Sequence, residues 1–348
     1  MTIRIDQAYV LDMLEMLLRT PSPTGYTHVI MQKLERQLAQ IGYALTYTNK
    51  GCGVVTVPGA DASRVIGISA HVDTLGAMVR SIKADGRLRM TPLGGYMMSS
   101  VENEYCRIHT RSGAEYEGTI LPTHPSVHVY DDAREQKREE ANMEVRIDEL
   151  VRSQADAEAL GIRVGDFISF DPRVRTLRSG FVKSRHLDDK AAVAAVLGLL
   201  AWLREAQVEP VCTVKLFFST YEEVGHGSAY IPGDIQELLA VDMGALGDDL
   251  SGDEEGVSIC AKDSSGPYDY AMTSRLIELA ERHGIRHAVD IYPRYGSDAS
   301  AAQRGGCDIR AALLGPGVHA SHGMERTHID AITGTARLLA AYITHAAD

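Results

Sequence analysis

The stretch VCTVKLFFSTYEEVG, residues 211–225, runs from a mostly apolar segment straight into two adjacent carboxylates. A strand with one wet face alternates apolar and polar residues, whereas a near-continuous apolar run marks a strand buried on both faces. Such strands belong to sheets covered by helices on either side. Glu222 and Glu223 at the end of the run repel each other and add nothing to a core, so their placement calls for a counter-charge.

The same texture extends outward from this stretch. Upstream, RVIGISAHVD (64–73) rises through Val65, Ile66 and Ile68 to His71 and Asp73, preceded by the short β-rich runs YALTYTN and GVVTVPG. Helix-like apolar spacing occupies residues 7–19 and 27–41, split by the breaker PSPTG. A long helical run follows Asp188 to about residue 204. Downstream come the strands LLAVDMG and GVSICAK, a helix near 270–284, HAVDIYP, CDIRAALLG and a closing helix from about 329. Strands alternating with helices predict an α/β fold: a three-layer domain on a mixed, mostly parallel sheet. Between about 80 and 180 the texture changes to short strand-like pieces (YCRIHTRSG, EYEGTILP, GDFISFDP) around one charged loop, DDAREQKREEAN. This predicts a mostly β domain over 79–180, inserted into a first domain made of 1–78 and 181–348.

Composition narrows the function. The chain has 45% hydrophobic and 24% charged residues, ordinary for a globular protein, and a formal charge of −12 with no basic block. Nucleic acid is therefore not expected as a partner, since phosphate neutralisation needs clustered Lys and Arg. The five cysteines are scattered without a CxxC pair, as in reduced cytoplasmic proteins. The amino-terminal segment lacks a signal-peptide layout, and the longest apolar run, AAVAAVLGLLAWL, is too short to span a bilayer. A cytoplasmic location without membrane contact is the expectation.

Chemistry-bearing residues recur where predicted strands end: His71 and Asp73, Asp188 and Asp189 in SRHLDDKAAVAAV, Glu222 and Glu223, Asp242, and His322 in VHASHGMERTH. Open α/β sheets bind ligands at that edge. Nitrogen and oxygen donors without thiolates suit Zn²⁺, Co²⁺ or Mn²⁺. Two divalent ions balanced by Asp188, Glu223 and Asp242, with His71 and His322 neutral, leave one positive charge and room for one hydroxide. One further carboxylate would serve as base, which gives the adjacent glutamates separate tasks. Each motif has a plainer reading alone, LDDK as a helix cap and YEEVG as a helix start. The ordered set favours the metal.

In this set the chain resembles the M42 metallo-aminopeptidases, the glutamyl and leucyl aminopeptidases of tetrahedral type, over nearly its whole length. SAHVDTLGAM, RHLDDKAAVAAV, STYEEVGHGSA and YGSDASAAQRGG resemble family segments, as do GTILPTHPSVH and EALGIRVGDFISFDP inside the insertion. The chain is also similar to members encoded beside genes for an N-acetylglutaminylglutamine amide osmolyte. The resemblance implies two divalent metal ions, Zn²⁺ first with Co²⁺ or Mn²⁺ as alternatives, held by His71, Asp188 as bridge, Glu223, Asp242 and His322. It makes Glu222 the general base and later acid, Asp73 the partner orienting His71, and Asp189 a supporting residue or cap. It implies a peptide or aminoacyl substrate and a homo-oligomer built from dimers, up to twelve subunits, with the insertion used in assembly. Two departures stand out. SHGME sets Glu325 one residue closer to His322 than the family pattern, with His319 and His328 as competing ligands. His226 stands where an aliphatic residue is usual.

The rival reading is an M20-type carboxypeptidase or deacylase, which uses a similar ligand order but places its extra domain before the last histidine. Here the long interval lies between His71 and Asp188, which favours the M42 pattern. Glycoside hydrolysis by paired carboxylates leaves His71 and His322 without a task. A non-catalytic shell-forming relative would not need the full ligand set.

Overall fold

The computed structural model describes residues 3–345 of the chain. The apolar runs form the middle of a ten-stranded mixed sheet. Across its centre lie Gly53–Val57, Cys212–Ser219, Asp61–His71, Glu237–Val241, Arg310–Val318 and Val257–Asp263, in that spatial order. The four inner strands of this set are parallel, and the two flanking them run antiparallel.

Strand side chains alternate between faces, so a continuous apolar run must meet two cores. Leu216 and Phe218 enter the larger core while Phe217 enters the smaller one on the opposite face. Helices Gln7–Leu18, His28–Gln40, Leu187–Ala206, Tyr270–Arg282 and Ile329–Thr344 fill the larger side. The short helix Asp298–Arg304, with Ile231 and Ile235, covers the other. Burying each Leu or Phe here contributes about 1.5–3 kcal/mol. Helix Leu187–Ala206 is buried nearly all round from Leu187 to Leu200, as its Ala, Val and Leu composition requires. No helix among the described residues is long and apolar enough to cross a membrane.

The insertion is a closed six-stranded barrel with its own core of Val79, Leu88, Met90, Ile108, Ile120 and Val145. Its strands run from Gly76–Ile82 to Phe167–Phe170, so the first begins ahead of residue 79. Beyond the barrel, Phe181–Ser184 pairs with Arg175–Thr176 on one side and Glu325–His328 on the other in a separate three-stranded sheet. The charged stretch 131–142 forms turns, as its composition suggests, and of YALTYTN only Thr46–Tyr47 pairs as strand.

Parallel register aligns the carboxyl ends of the inner strands, with Ser219 beside His71 and Val241 beside Leu314. His71, Asp242 and the Glu222–Glu223 pair therefore emerge along one edge. Asp188 arrives differently. It lies at the amino-terminal end of helix Leu187–Ala206, after a strand of the three-stranded sheet, and so does not end a strand of the main sheet as expected.

Candidate metal centre

The carboxylate of Asp188 sits between two imidazoles. Its Oδ1 lies 3.3 Å from Nε2 of His71, and its Oδ2 lies 3.3 Å from Nε2 of His322. Asp188 has an extended backbone (φ −75°, ψ 105°), so its side chain turns off the helix into the site and does not cap the first turn. Asp189, joined to it by a cis peptide, accepts from the backbone N–H of His71 at 3.0 Å.

Each imidazole is fixed from behind. Nδ1 of His71 donates to the backbone carbonyl of Asp73 at 2.9 Å, and the Asp73 carboxylate lies 3.6 Å from the same nitrogen. Nδ1 of His322 donates to the carbonyl of Gly95, a residue of the barrel domain. Each bond makes Nδ1 the donor and turns Nε2 toward the carboxylates, where it donates when protonated and offers a lone pair when a cation takes the proton's place.

Glu222 and Glu223 lie on a short 3₁₀ turn, Glu222–Val224, and not on a longer helix. The Asp73 carboxylate anchors that turn, accepting from the N–H groups of Glu222 at 3.1 Å and Glu223 at 3.3 Å and from the Thr24 hydroxyl at 2.6 Å. The two side chains then diverge. Glu223 is 3% exposed and reaches within 3.6 Å of His322, whereas Glu222 is 16% exposed and lies 3.7 Å from Nε2 of His71. Asp242 completes the His71 side, where His71, Asp189 and Asp242 offer donor atoms within 4.8 Å of one another, as do His71, Asp188 and Glu223.

These contacts pack negative charge into a dry place. Burial, reinforced by neighbouring carboxylates, pushes Glu222, Glu223 and Asp189 well above the usual carboxyl range and Asp242 up to about 7. Burial opposes protonation of His71 and His322, but hydrogen bonds to Asp188 and the surrounding carboxylates outweigh it. They hold His71 well above the ordinary imidazole range and His322 up to about 10. The centre therefore recruits positive charge.

Divalent cations fit that demand. The converging atoms are imidazole and carboxylate lone pairs, and the buried oxygens Glu223 Oε1 and Asp189 Oδ1 have no hydrogen-bond partner. The buried ammonium of Lys190 is turned away, donating to the Thr20 carbonyl at 2.8 Å. His71 with Asp189 and Asp242, and His71 with Asp188 and Glu223, converge closely enough to hold a cation, and His322 stands beside Asp188 and Glu223.

The competing histidines lie elsewhere. His328 caps helix Ile329–Thr344 through the N–H of Asp330, and its Nε2 meets the carbonyl of Ser179 at 2.8 Å. His319 is exposed and bridges Arg326 through its backbone. His226 is also exposed and stacks on Tyr221 at 4.9 Å.

Three further residues belong to the site without having been assigned a role from sequence. Glu325 accepts from the N–H groups of Asp188 and His322, both at 3.0 Å, and so spaces two of the donors. Asp298 accepts from Ser219 at 3.2 Å and from the Ser228 N–H at 3.1 Å, leaving its buried Oδ2 without a partner. Tyr295, half-buried beside Asp242, donates to the Met243 carbonyl at 3.0 Å. Glu325 and Asp298 lie inside the quoted motifs; the spacing of SHGME drew attention to Glu325, and for Asp298 a carboxylate among small residues was the only sequence signal.

Comparison with known proteins converges on one group. A family model described as M42 glutamyl aminopeptidase matches residues 51–338. A Bacillus subtilis (strain 168) protein named "Putative aminopeptidase YhfE" is 49% identical over 96% of each chain. Among solved structures, the TET aminopeptidase of the marine sediment archaeon Thaumarchaeota archaeon SCGC AB-539-E09 superposes with a TM-score of 0.88 at 18% identity, covering 97% of this chain and 96% of the other. The Pyrococcus horikoshii TET1 peptidase, titled as able to assemble into a tetrahedron or a large octahedral shell, gives 0.84 at 22% identity over 97% of this chain and all of the other.

Proposed function

The chain belongs to the M42 glutamyl aminopeptidase family, and from that premise we propose that it removes amino-terminal residues from peptides at a two-metal centre with Glu222 as the proton carrier. The observation that carries this reading is the shared carboxylate. Each oxygen of Asp188 faces a different imidazole at 3.3 Å, which divides the donors into two sets with one member in common. A single-ion site on one set would leave two of the five proposed donors unused.

Bound there, two divalent ions (Zn²⁺ first, Co²⁺ or Mn²⁺ as alternatives) would acidify a water and polarise the scissile carbonyl. The residues divide the remaining work. His71, Asp188, Glu223, Asp242 and His322 would hold the ions, and Asp73 keeps both the His71 ring and the glutamate turn in place. Glu222, the more open of the pair, accepts the proton of the attacking water and returns it to the leaving amine. The difference in exposure, 16% against 3%, supports giving the mobile proton to Glu222 and the ligand role to Glu223.

Hydrolysis of aminoacyl-p-nitroanilides with added Zn²⁺, Co²⁺ or Mn²⁺ tests the activity. The Glu222→Gln enzyme should keep both metals by elemental analysis yet lose turnover by about 10²–10⁴-fold. Glu223→Gln should instead lower metal content. Near-normal turnover in Glu222→Gln would remove it as the base, and cleavage of N-acylated but not free-amino substrates would move the protein to the deacylase reading. As partner we propose further copies of the same chain, assembled from dimers as far as a dodecamer, in the cytoplasm.

A further inference from the structure

The two halves of the metal centre are not held alike. His71 and Asp242 take their contacts from the sheet domain: the Asp73 carbonyl, the Asp189 carboxylate, and the Leu314 carbonyl, which accepts from the Asp242 N–H at 3.0 Å. The His322 half leans on the inserted barrel. Nδ1 of His322 donates to the Gly95 carbonyl, and the Ser100 hydroxyl lies 3.4 Å from the His322 carbonyl. Gly94 sits at φ +77°, where a Cβ would approach Glu223 Oε2 to 3.4 Å. His322 itself has φ +61°, in a tight turn closed by a Gly323 N–H to Ala320 carbonyl bond of 3.0 Å. A histidine in that conformation needs support from outside its own turn.

One buried side chain joins the two loops. Arg185, 4% exposed, donates through Nη1 to the Gly323 carbonyl at 3.2 Å and through Nη2 to the carbonyl of Ser100. Glu104 of the barrel lies 3.2 Å from the same guanidinium and also pairs with Arg173 at 2.8 Å. A planar fork with several fixed donors suits this bridging, where a lysine would offer one point charge. Arg185 hydrogen-bonds to the Gly323 and Ser100 carbonyls and pairs with Glu104, not with any of the five proposed ligand side chains.

We propose that Arg185 is a positioning residue that clamps barrel loop 94–100 onto the turn carrying His322, so that one metal position depends on the inserted domain and the other does not. This rests on the two-metal reading above. The dependence runs through the Gly95 carbonyl. If the loop drifts, His322 loses the bond that fixes its tautomer, while the His71 position keeps all its supports.

The test is a zinc titration of the full-length protein against a chromogenic chelator, which reads both affinities without using turnover. In Arg185→Gln, one position should stay within about twofold of the unchanged protein and the other weaken by about 10–100-fold, the scale of losses on removing outer contacts of a metal ligand. Arg185→Lys should fall between the two. Combining Arg185→Gln with His322→Ala should weaken zinc no further than His322→Ala alone, because both act on one position. Turnover of Arg185→Gln should recover at saturating zinc. Equal weakening of both positions, or no weakening, overturns the proposal. Should Arg185→Gln fail to fold, Glu104→Gln, which loosens the guanidinium while leaving it in place, must give the same asymmetry at smaller size or the proposal falls. An unchanged protein that binds two zinc ions but cleaves no aminoacyl substrate would end the aminopeptidase reading and leave the clamp standing. Binding of a single zinc would end both.

Discussion

At the scale of the residue, the centre depends on carboxylates with different tasks set by what surrounds them. Asp188 accepts no capping bond and faces two imidazoles, Asp73 binds a backbone turn, and Glu325 binds the backbone of two donors at once. Glu325 makes the sharpest prediction at this scale. An amide in its place keeps one acceptor but turns an NH₂ group toward a backbone N–H, leaving that buried donor unpaired at about 1–3 kcal/mol. Glu325→Gln should therefore lower metal affinity by about 10–100-fold, read by chelator competition, while the protein still folds. Unchanged affinity would show that the spacing of Asp188 and His322 is set by something else. His71, Asp242 and the glutamate pair were legible in sequence because each follows an apolar run directly. Glu325 was harder to assign, since its task is addressed to backbone groups that only the fold brings near.

At the scale of the element, the inner parallel strands deliver His71, Asp242 and the glutamate turn to one edge, and that delivery needs close strand packing. Gly315, in Arg310–Val318, passes the backbone of Asp242 so tightly that an added Cβ would lie 1.7 Å from the Asp242 carbonyl oxygen. The obstacle is backbone and cannot rotate away. Gly315→Ala should thus destabilise the protein by about 1–3 kcal/mol, in line with overpacking of a filled core, and displace Asp242. Denaturant melting checks the first effect and metal content the second; a fully stable, fully metallated variant would contradict both. The continuous apolar runs announced these strands well. Asp188 was placed at the end of a sheet strand by the same logic, and the structure instead brings it in on the first turn of a helix, where no apolar periodicity could have shown its direction.

At the scale of the whole molecule, a barrel with its own core stands on an α/β layer that has two, and the barrel reaches back to the candidate metal centre through Gly95 and Ser100. Val127, Val129, Leu150 and Val164 of the barrel domain are each more than half exposed and available to an interface between copies. Sedimentation velocity should therefore give species heavier than the 37.9 kDa chain, and a monomer at micromolar concentration would contradict the assembly reading. The sequence by itself determined the fold class and its separate β-rich part, and the order of the candidate site residues, because buried strands need unbroken apolar runs and charges at their ends stand out against them. The tertiary structure decided how those residues are supported: Asp188 between two imidazoles, His322 apart from His319 and His328, and Arg185 joining two domains. Those relations are contacts between segments far apart in the chain, often to backbone carbonyls and N–H groups that every residue carries, so no local pattern of side chains could have specified them.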